Sequence, residues 1–159
     1  MKTYDIVVLG LGVMGSAAVL SLTKRGVSVL GVDANGPHHA LGSSHGATRA
    51  TRETYFEAPE YVPLAQRSTA LWRELEHESS SSLLETNGGL YFGPAEHPML
   101  AGVKKAATLH NLPLDSLDAR DINEQLPGFS LPDGWQVLRE NGAGLLQAPA
   151  CLDAIRDLA

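Results

Sequence analysis

Residues 4–33 read YDIVVLGLGVMGSAAVLSLTKRGVSVLGVD. The opening YDIVVLG is a β-branched run of the kind that forms a buried parallel strand. Val13 to Arg25 is rich in helix formers, with Lys24 and Arg25 in its last turn and Gly26 where a C-cap is wanted. VSVLGVD is a second strand, ending at Asp33. Strand, helix and strand inside about 30 residues make a βαβ unit. The joint between the first strand and the helix is GLGVMG, a GxGxxG. Alone the pattern is weak. Here it follows a predicted strand, opens a predicted helix, begins a βαβ unit and has an acid 18 residues past its last glycine. Gly10 permits the tight turn, Gly12 lets a pyrophosphate approach the backbone, and Gly15 lets helix and strand pack closely. The helix start at Val13 and Met14 offers unpaired N–H groups to phosphate. Asp33 accepts from ribose hydroxyls and disfavours a 2′-phosphate. Gly10, Gly12, Met14, Gly15 and Asp33 are therefore candidate cofactor-binding residues. FAD and NAD share this fingerprint, and glycines that serve only turn and packing are the alternative.

Beyond Asp33 the chain enters a Gly/Pro/His/Ser connection that contains GSSHGATRATR, residues 42–52, with no carboxylate between Asp33 and Glu53. His45, Arg49 and Arg52 have helix-like spacing, so a solvated basic face is one reading and a site for an anion the other. Further on, PEYVPLAQRSTALWRELEHE predicts a helix with Tyr61, Leu64, Ala65, Ser68, Leu71, Trp72 and Leu75 on one face, Tyr61 and Trp72 being core. GGLYFGP predicts a strand, HPMLAGVKKAATLHN a helix, LPLDSL an extended piece, and ARDINEQLPG a short helix ended before Pro127. GWQVLRENGAGLLQA alternates around Asn141-Gly142, a hairpin or a connection between strands. APACLDAIRDLA predicts a final amphipathic helix. His38 and His39 read as surface loop. Tyr55 and Glu57 lie close enough to the arginines to line a pocket, and exposed loop positions are the alternative.

The totals narrow the function classes. The 159 residues carry a formal net charge of −6 and are 43% apolar, a globular composition. That charge argues against general nucleic-acid or anionic-membrane binding, and no apolar run approaches the roughly 20 residues of a membrane span. Cys151 is the only cysteine, so there is no internal disulfide and no CxxC metal knuckle; it reads as a small buried apolar residue. No metal site and no targeting segment are expected, and the default setting is cytoplasmic.

The glycine loop, GSSHGATRATR at its spacing from that loop, YVPLAQRS, GGLYFGP and the closing GAGLLQAPACLDAIRDLA together resemble the monomeric sarcosine oxidase and N-methyltryptophan oxidase family. GSSHGATR stands where that family has GSHHGDTR, with a further Arg after two more residues. The resemblance implies FAD as cofactor and oxidation of the C–N bond of an N-methyl or secondary amino acid to an imine. O2 is then reduced to hydrogen peroxide. It implies that Arg52 grips the substrate carboxylate, a planar fork being suited to that task. It places His45 and Arg49 beside the flavin ring, where cations stabilise developing negative charge, and it puts Ser43, Ser44 and Thr48 along the cofactor. Ser44 replaces a family His and Ala47 a family Asp, which leaves local hydrogen bonding and substrate choice open. The family links its flavin through a cysteine in its C-terminal half, a position Cys151 does not match.

The fold class expected is α/β: a Rossmann-like FAD-binding βαβ, then the start of a mixed, largely antiparallel substrate domain. The divisions expected are 1–82 for the first FAD-binding segment, 83–147 for the start of the substrate domain and 148–159 for a return to the FAD-binding domain. Family members are longer, so an N-terminal fragment that is inactive alone is expected, the full-length form being monomeric. The partners implied are an amino acid and O2. A NAD-dependent dehydrogenase and a non-catalytic dinucleotide-binding module are the competing readings.

Overall fold

The computed structural model describes residues 2–159. The chain divides into two compact units that interleave along the sequence. The first comprises residues 1–49, 71–85 and 146–159, the second residues 50–70 and 86–145.

In the first unit, strand β1 (Ile6–Leu9) pairs in parallel with β2 (Val29–Val32), Ile6 opposite Val29 and Leu9 opposite Val32. Helix α1 (Val13–Thr23) joins them, as the sequence predicts. Gly26 follows α1 at φ +77°, a left-handed position that suits glycine. The apolar core gathers Leu20 of α1 with Leu75, Leu83, Leu84 and Leu146. Cys151, Ala154 and Ile155 of α5 (Ala148–Asp157) complete it. Cys151 is buried, and burial pushes its thiol up to about 11.

Two short strands were not anticipated, β3 (Thr48–Thr51) and β4 (Leu84–Glu85). With β8 (Gly144–Gln147) they form a sheet ordered β3–β8–β4. β3 and β8 carry the chain across two of the four divisions between the units. The helix-like spacing of His45, Arg49 and Arg52 therefore belongs to a loop and a strand. Helix α2 (Val62–Ser79) follows a 3-10 turn at Pro59–Tyr61. Its apolar stripe matches expectation at Leu75 and at Trp72, which packs against the first core, and differs elsewhere. Val62 and Leu75 are buried, whereas Tyr61, Leu64 and Leu71 are exposed at 56%, 64% and 47%.

The second unit is built on an antiparallel sheet ordered β5–β7–β6, namely Gly89–Pro94, Trp135–Glu140 and Asp115–Asp118. Tyr91 faces Leu138 across one pair and Phe92 faces Val137 across the next. Directly opposed residues share a face and successive residues alternate, so Tyr91, Leu138 and Glu140 lie on one side. That side packs on Leu100 and Val103 of α3 (Pro98–His110) and on Phe56. Val137, Leu90, Leu117 and Trp135 cluster with Ala119 and Ile122 of α4 (Ala119–Gln125). β7 and β8, flanking Asn141-Gly142, do not form a hairpin; each is the centre of a different sheet.

Candidate functional site

The end of β1 and the start of α1 form a cradle. Gly10 sits at φ +90° and donates its N–H to the Val32 carbonyl at 2.7 Å. A Cβ on Gly15 would lie 1.8 Å from the Gly10 carbonyl oxygen, so only glycine lets helix and strand meet here. Asp33 follows β2 and accepts the Leu11 N–H at 2.6 Å and the Asn35 N–H at 2.9 Å. Those N–H groups, Leu11's first, hold its carboxyl below the ordinary 3.8. Asp33 thus ties the glycine loop to the second strand and keeps spare lone pairs.

Beside this cradle lies a cleft of about 850 Å³. It brings together Gly10, Gly12, Met14, Gly15, Asp33, Ser43, Ser44 and His45, eight of the candidate residues. Met14 is 82% exposed into it. Ser44 closes over the helix start, its Oγ accepting the Val13 N–H at 3.0 Å. A Cβ on Gly12 would come within 3.2 Å of that oxygen. The cradle fits a dinucleotide: glycine backbone at positions 10, 12 and 15, a helix N-terminus, and an acid at the far strand end.

Thr48 and Arg49 do not line this cleft. Arg49 donates to the carbonyls of Ser43, His45 and Thr48, the last at 2.7 Å, and so staples the loop it belongs to. It also borders a smaller, apolar cavity of about 230 Å³ with Trp72 and Cys151. The His45 ring Nδ1 meets the Gly42 carbonyl.

Arg52 belongs to the second unit. Its guanidinium carbon stands 5.1 Å from the Tyr55 ring centre and 5.0 Å from that of Phe56, and Nη2 donates to Glu57 Oε1 at 2.6 Å. Burial works against its charge, yet the Glu57 carboxylate outweighs this and raises the guanidinium above its ordinary value. The arrangement is a planar cation on an aromatic shelf, binding a carboxylate.

Three contributors escaped the sequence reading. His39 Nε2 lies 3.6 Å from Asp33 Oδ1, and His38 Nε2 lies 3.1 Å from Asp153; both histidines line the cleft. Arg156 of α5 donates from Nη2 to the Leu11 carbonyl at 2.9 Å, while its buried Nη1 has no partner. The only signal for Arg156 was a cation in the last turn of an amphipathic helix. Nothing local ties it to a loop 145 residues away. Among the described residues no group of three or more His, Cys, Asp or Glu side chains could hold a metal ion, and no helix is long and apolar enough to cross a membrane.

The family model described as FAD dependent oxidoreductase, DAO, matches residues 5–159. The chain is 42% identical over 159 residues to a monomeric sarcosine oxidase of Arthrobacter sp. (strain TE1826), covering 99% of this chain and 41% of that protein. It is 36% identical over 145 residues to an N-methyl-L-tryptophan oxidase of Yersinia pestis (strain Pestoides F), covering 91% of this chain and 39% of that one. Among solved structures it resembles a point mutant of NikD, described as an unusual amino acid oxidase essential for nikkomycin biosynthesis, in its open form. There the TM-score is 0.87 at 26% identity, over 99% of this chain and 41% of that one. The chain thus spans about two fifths of the length of the relatives it matches.

Proposed function

The chain belongs to the FAD-dependent oxidoreductase family, and on that premise we propose that it is part of an enzyme that oxidises the C–N bond of an N-methyl or secondary amino acid. The amine loses two electrons and becomes an imine, which water hydrolyses; O2 accepts the electrons and leaves as hydrogen peroxide. The observation that carries this reading is Arg52, already engaged with a carboxylate at 2.6 Å on a shelf of two aromatic rings. An amino-acid substrate presents the same group, and its binding requires Arg52 to exchange Glu57 for it.

When bound, FAD supplies the two-electron acceptor. Gly10, Gly12, Met14 and Gly15 would cradle its pyrophosphate, Asp33 its ribose, and Ser43, Ser44 and Thr48 the path between. His45 and Arg49 would stand near the flavin ring as donors and positive charge. The first unit would then be the FAD-binding domain in part and the second the start of the substrate domain. The remaining three fifths of a protein of the relatives' length would complete the pocket. A cytoplasmic monomer is the form this reading favours.

In the protein that contains this chain, the expected phenotype is a yellow preparation that releases peroxide when given sarcosine. A colourless protein that reduces NAD would remove the flavin reading. Arg52→Ala should raise KM for sarcosine about 10- to 100-fold, the loss of a charged hydrogen bond of about 1.5–3 kcal/mol. Flavin content should stay as it was. Unchanged KM would take Arg52 out of the site.

A further inference from the structure

Glu140 ends β7 and is 3% exposed, with Thr54 fully buried and Tyr91 at 8%. Four donors converge on its carboxylate. Oε1 accepts the Glu53 N–H at 2.5 Å. Oε2 accepts the Thr54 N–H at 3.3 Å, the Tyr91 hydroxyl at 3.0 Å and the Thr54 hydroxyl. Thr54 Oγ1 also lies 2.8 Å from the Tyr91 oxygen, so its single proton serves one of the two acceptors while the Tyr91 proton serves Glu140. No cation is among these partners. A buried carboxylate is costly where an apolar side chain would pack, so its presence calls for a use beyond filling the core.

That use follows from what it holds. Glu53 and Thr54 come directly after Arg52. Two residues on, Phe56 meets the Tyr91 ring edge-on, 6.3 Å between centres at 84°. On its other side Phe56 touches α3 at Gly102, where a Cβ would sit 3.0 Å from the Phe56 Cβ and carbonyl oxygen. The Tyr55 and Phe56 rings are the shelf beneath the Arg52 guanidinium. Cation and shelf both hang from the short backbone that Glu140 fixes.

We propose that Glu140 is the positioning residue for Arg52, clamping the backbone of residues 53 and 54 so that the guanidinium is held ready for a substrate carboxylate. This rests on the reading of Arg52 given above. Glu140 touches no substrate; it acts through the segment that carries the arginine.

The test is Glu140→Gln in the protein that contains this chain, beside Arg52→Ala. Gln keeps the size but turns an amide N–H₂ toward donors, so one side of the clamp opens. KM for sarcosine and the inhibition constant of acetate should rise together by about tenfold, kcat and flavin content staying within about twofold. Hydrogen exchange at the Glu53 and Thr54 amides should quicken by about tenfold or more. On the Arg52→Ala background the second substitution should add nothing to KM. Should Glu140→Gln fail to fold, Tyr91→Phe deletes one donor, with about a threefold rise expected in both constants. Faster exchange with unchanged KM and acetate inhibition would make Glu140 a merely structural group and overturn the proposal. If Arg52→Ala itself leaves KM unchanged, the reading of Arg52 fails; if it raises KM while neither clamp variant does, only the positioning role fails.

Discussion

Ser44 accepts the Val13 N–H from 31 residues downstream, while Gly12, the residue at the helix cap, contributes no side chain of its own. A helix N-terminus has four orphan N–H groups, and here a loop hydroxyl meets one of them at the place where phosphate oxygens would sit. The resemblance marked Ser44 as a departure from a family histidine. The structure gives the replacement a local purpose, since a short hydroxyl fits within 3.2 Å of where a Gly12 Cβ would be. Ser44→Ala should therefore cost about 1 kcal/mol of stability in cofactor-free protein, the usual loss for a missing N-cap. Thermal unfolding measured with and without FAD checks this: the deficit should shrink when cofactor oxygens take over the N–H. A deficit of equal size in both conditions would mean that Ser44 and the cofactor do not share that donor.

Elements differ in how plainly they announce themselves. α4 carries its own start signal, Asp118 accepting the Asp121 N–H at 2.9 Å while the Asp121 side chain reaches back to the Asp118 N–H. Such a capping box is local and can be read directly. Asp118→Ala should lower stability by about 1 kcal/mol, read as a shifted urea midpoint with unchanged slope; no shift would mean that packing of Ala119 and Ile122 alone holds the helix. β1, α1 and β2 were legible for the same reason, because glycine spacing and hydrophobic period are local. β3 was not, since four residues, TRAT, in a Gly/Ser-rich connection owe their strand to a neighbour far along the chain. The stripe on α2 held at Leu75 and Trp72 but not at Tyr61, Leu64 and Leu71, because a 3.6-residue period identifies an apolar face but not what covers it. Tyr61 and Leu64 remain exposed, and the buried anchors are Val62 and Leu75. Glu140 could have been found. In WQVLRE, period two puts it on the same side as the buried Leu138, and an acid at an inward position is a signal in itself.

At the scale of the whole molecule, the candidate site was legible where it rests on a motif and hidden where it rests on long-range pairing. Gly10, Gly12, Gly15 and Asp33 were visible from spacing, whereas Arg156 and the stapling by Arg49 required the fold. Long-range pairing also sets how stability answers to pH, and each unit carries both limbs. On the acid side, Leu11's N–H depresses Asp33, and Asn141 followed by Arg139 depresses Asp115. Burial opposes ionisation of Glu76, but the Leu84 and Leu83 N–H groups and Arg73 together outweigh it and lower its value. A depressed carboxyl contributes stability that is complete above its unfolded value, 3.8 for the aspartates and 4.5 for the glutamate, and is lost as pH falls through the folded value. On the alkaline side, burial raises Cys151 in the first unit from 9.0 to about 11 and Tyr91 in the second from 10.0 to about 12. A raised acid contributes stability that is complete below the unfolded value and is lost as pH climbs to the folded one. These groups should thus make stability fall below about pH 4 and fall again from about pH 9 to about pH 12. Urea midpoints across that span check the profile. Cys151→Ala isolates one limb: it should flatten the decline between pH 9 and 11 and leave the acid limb as it was. A variant that keeps the full alkaline decline would show that the thiol takes no part in it.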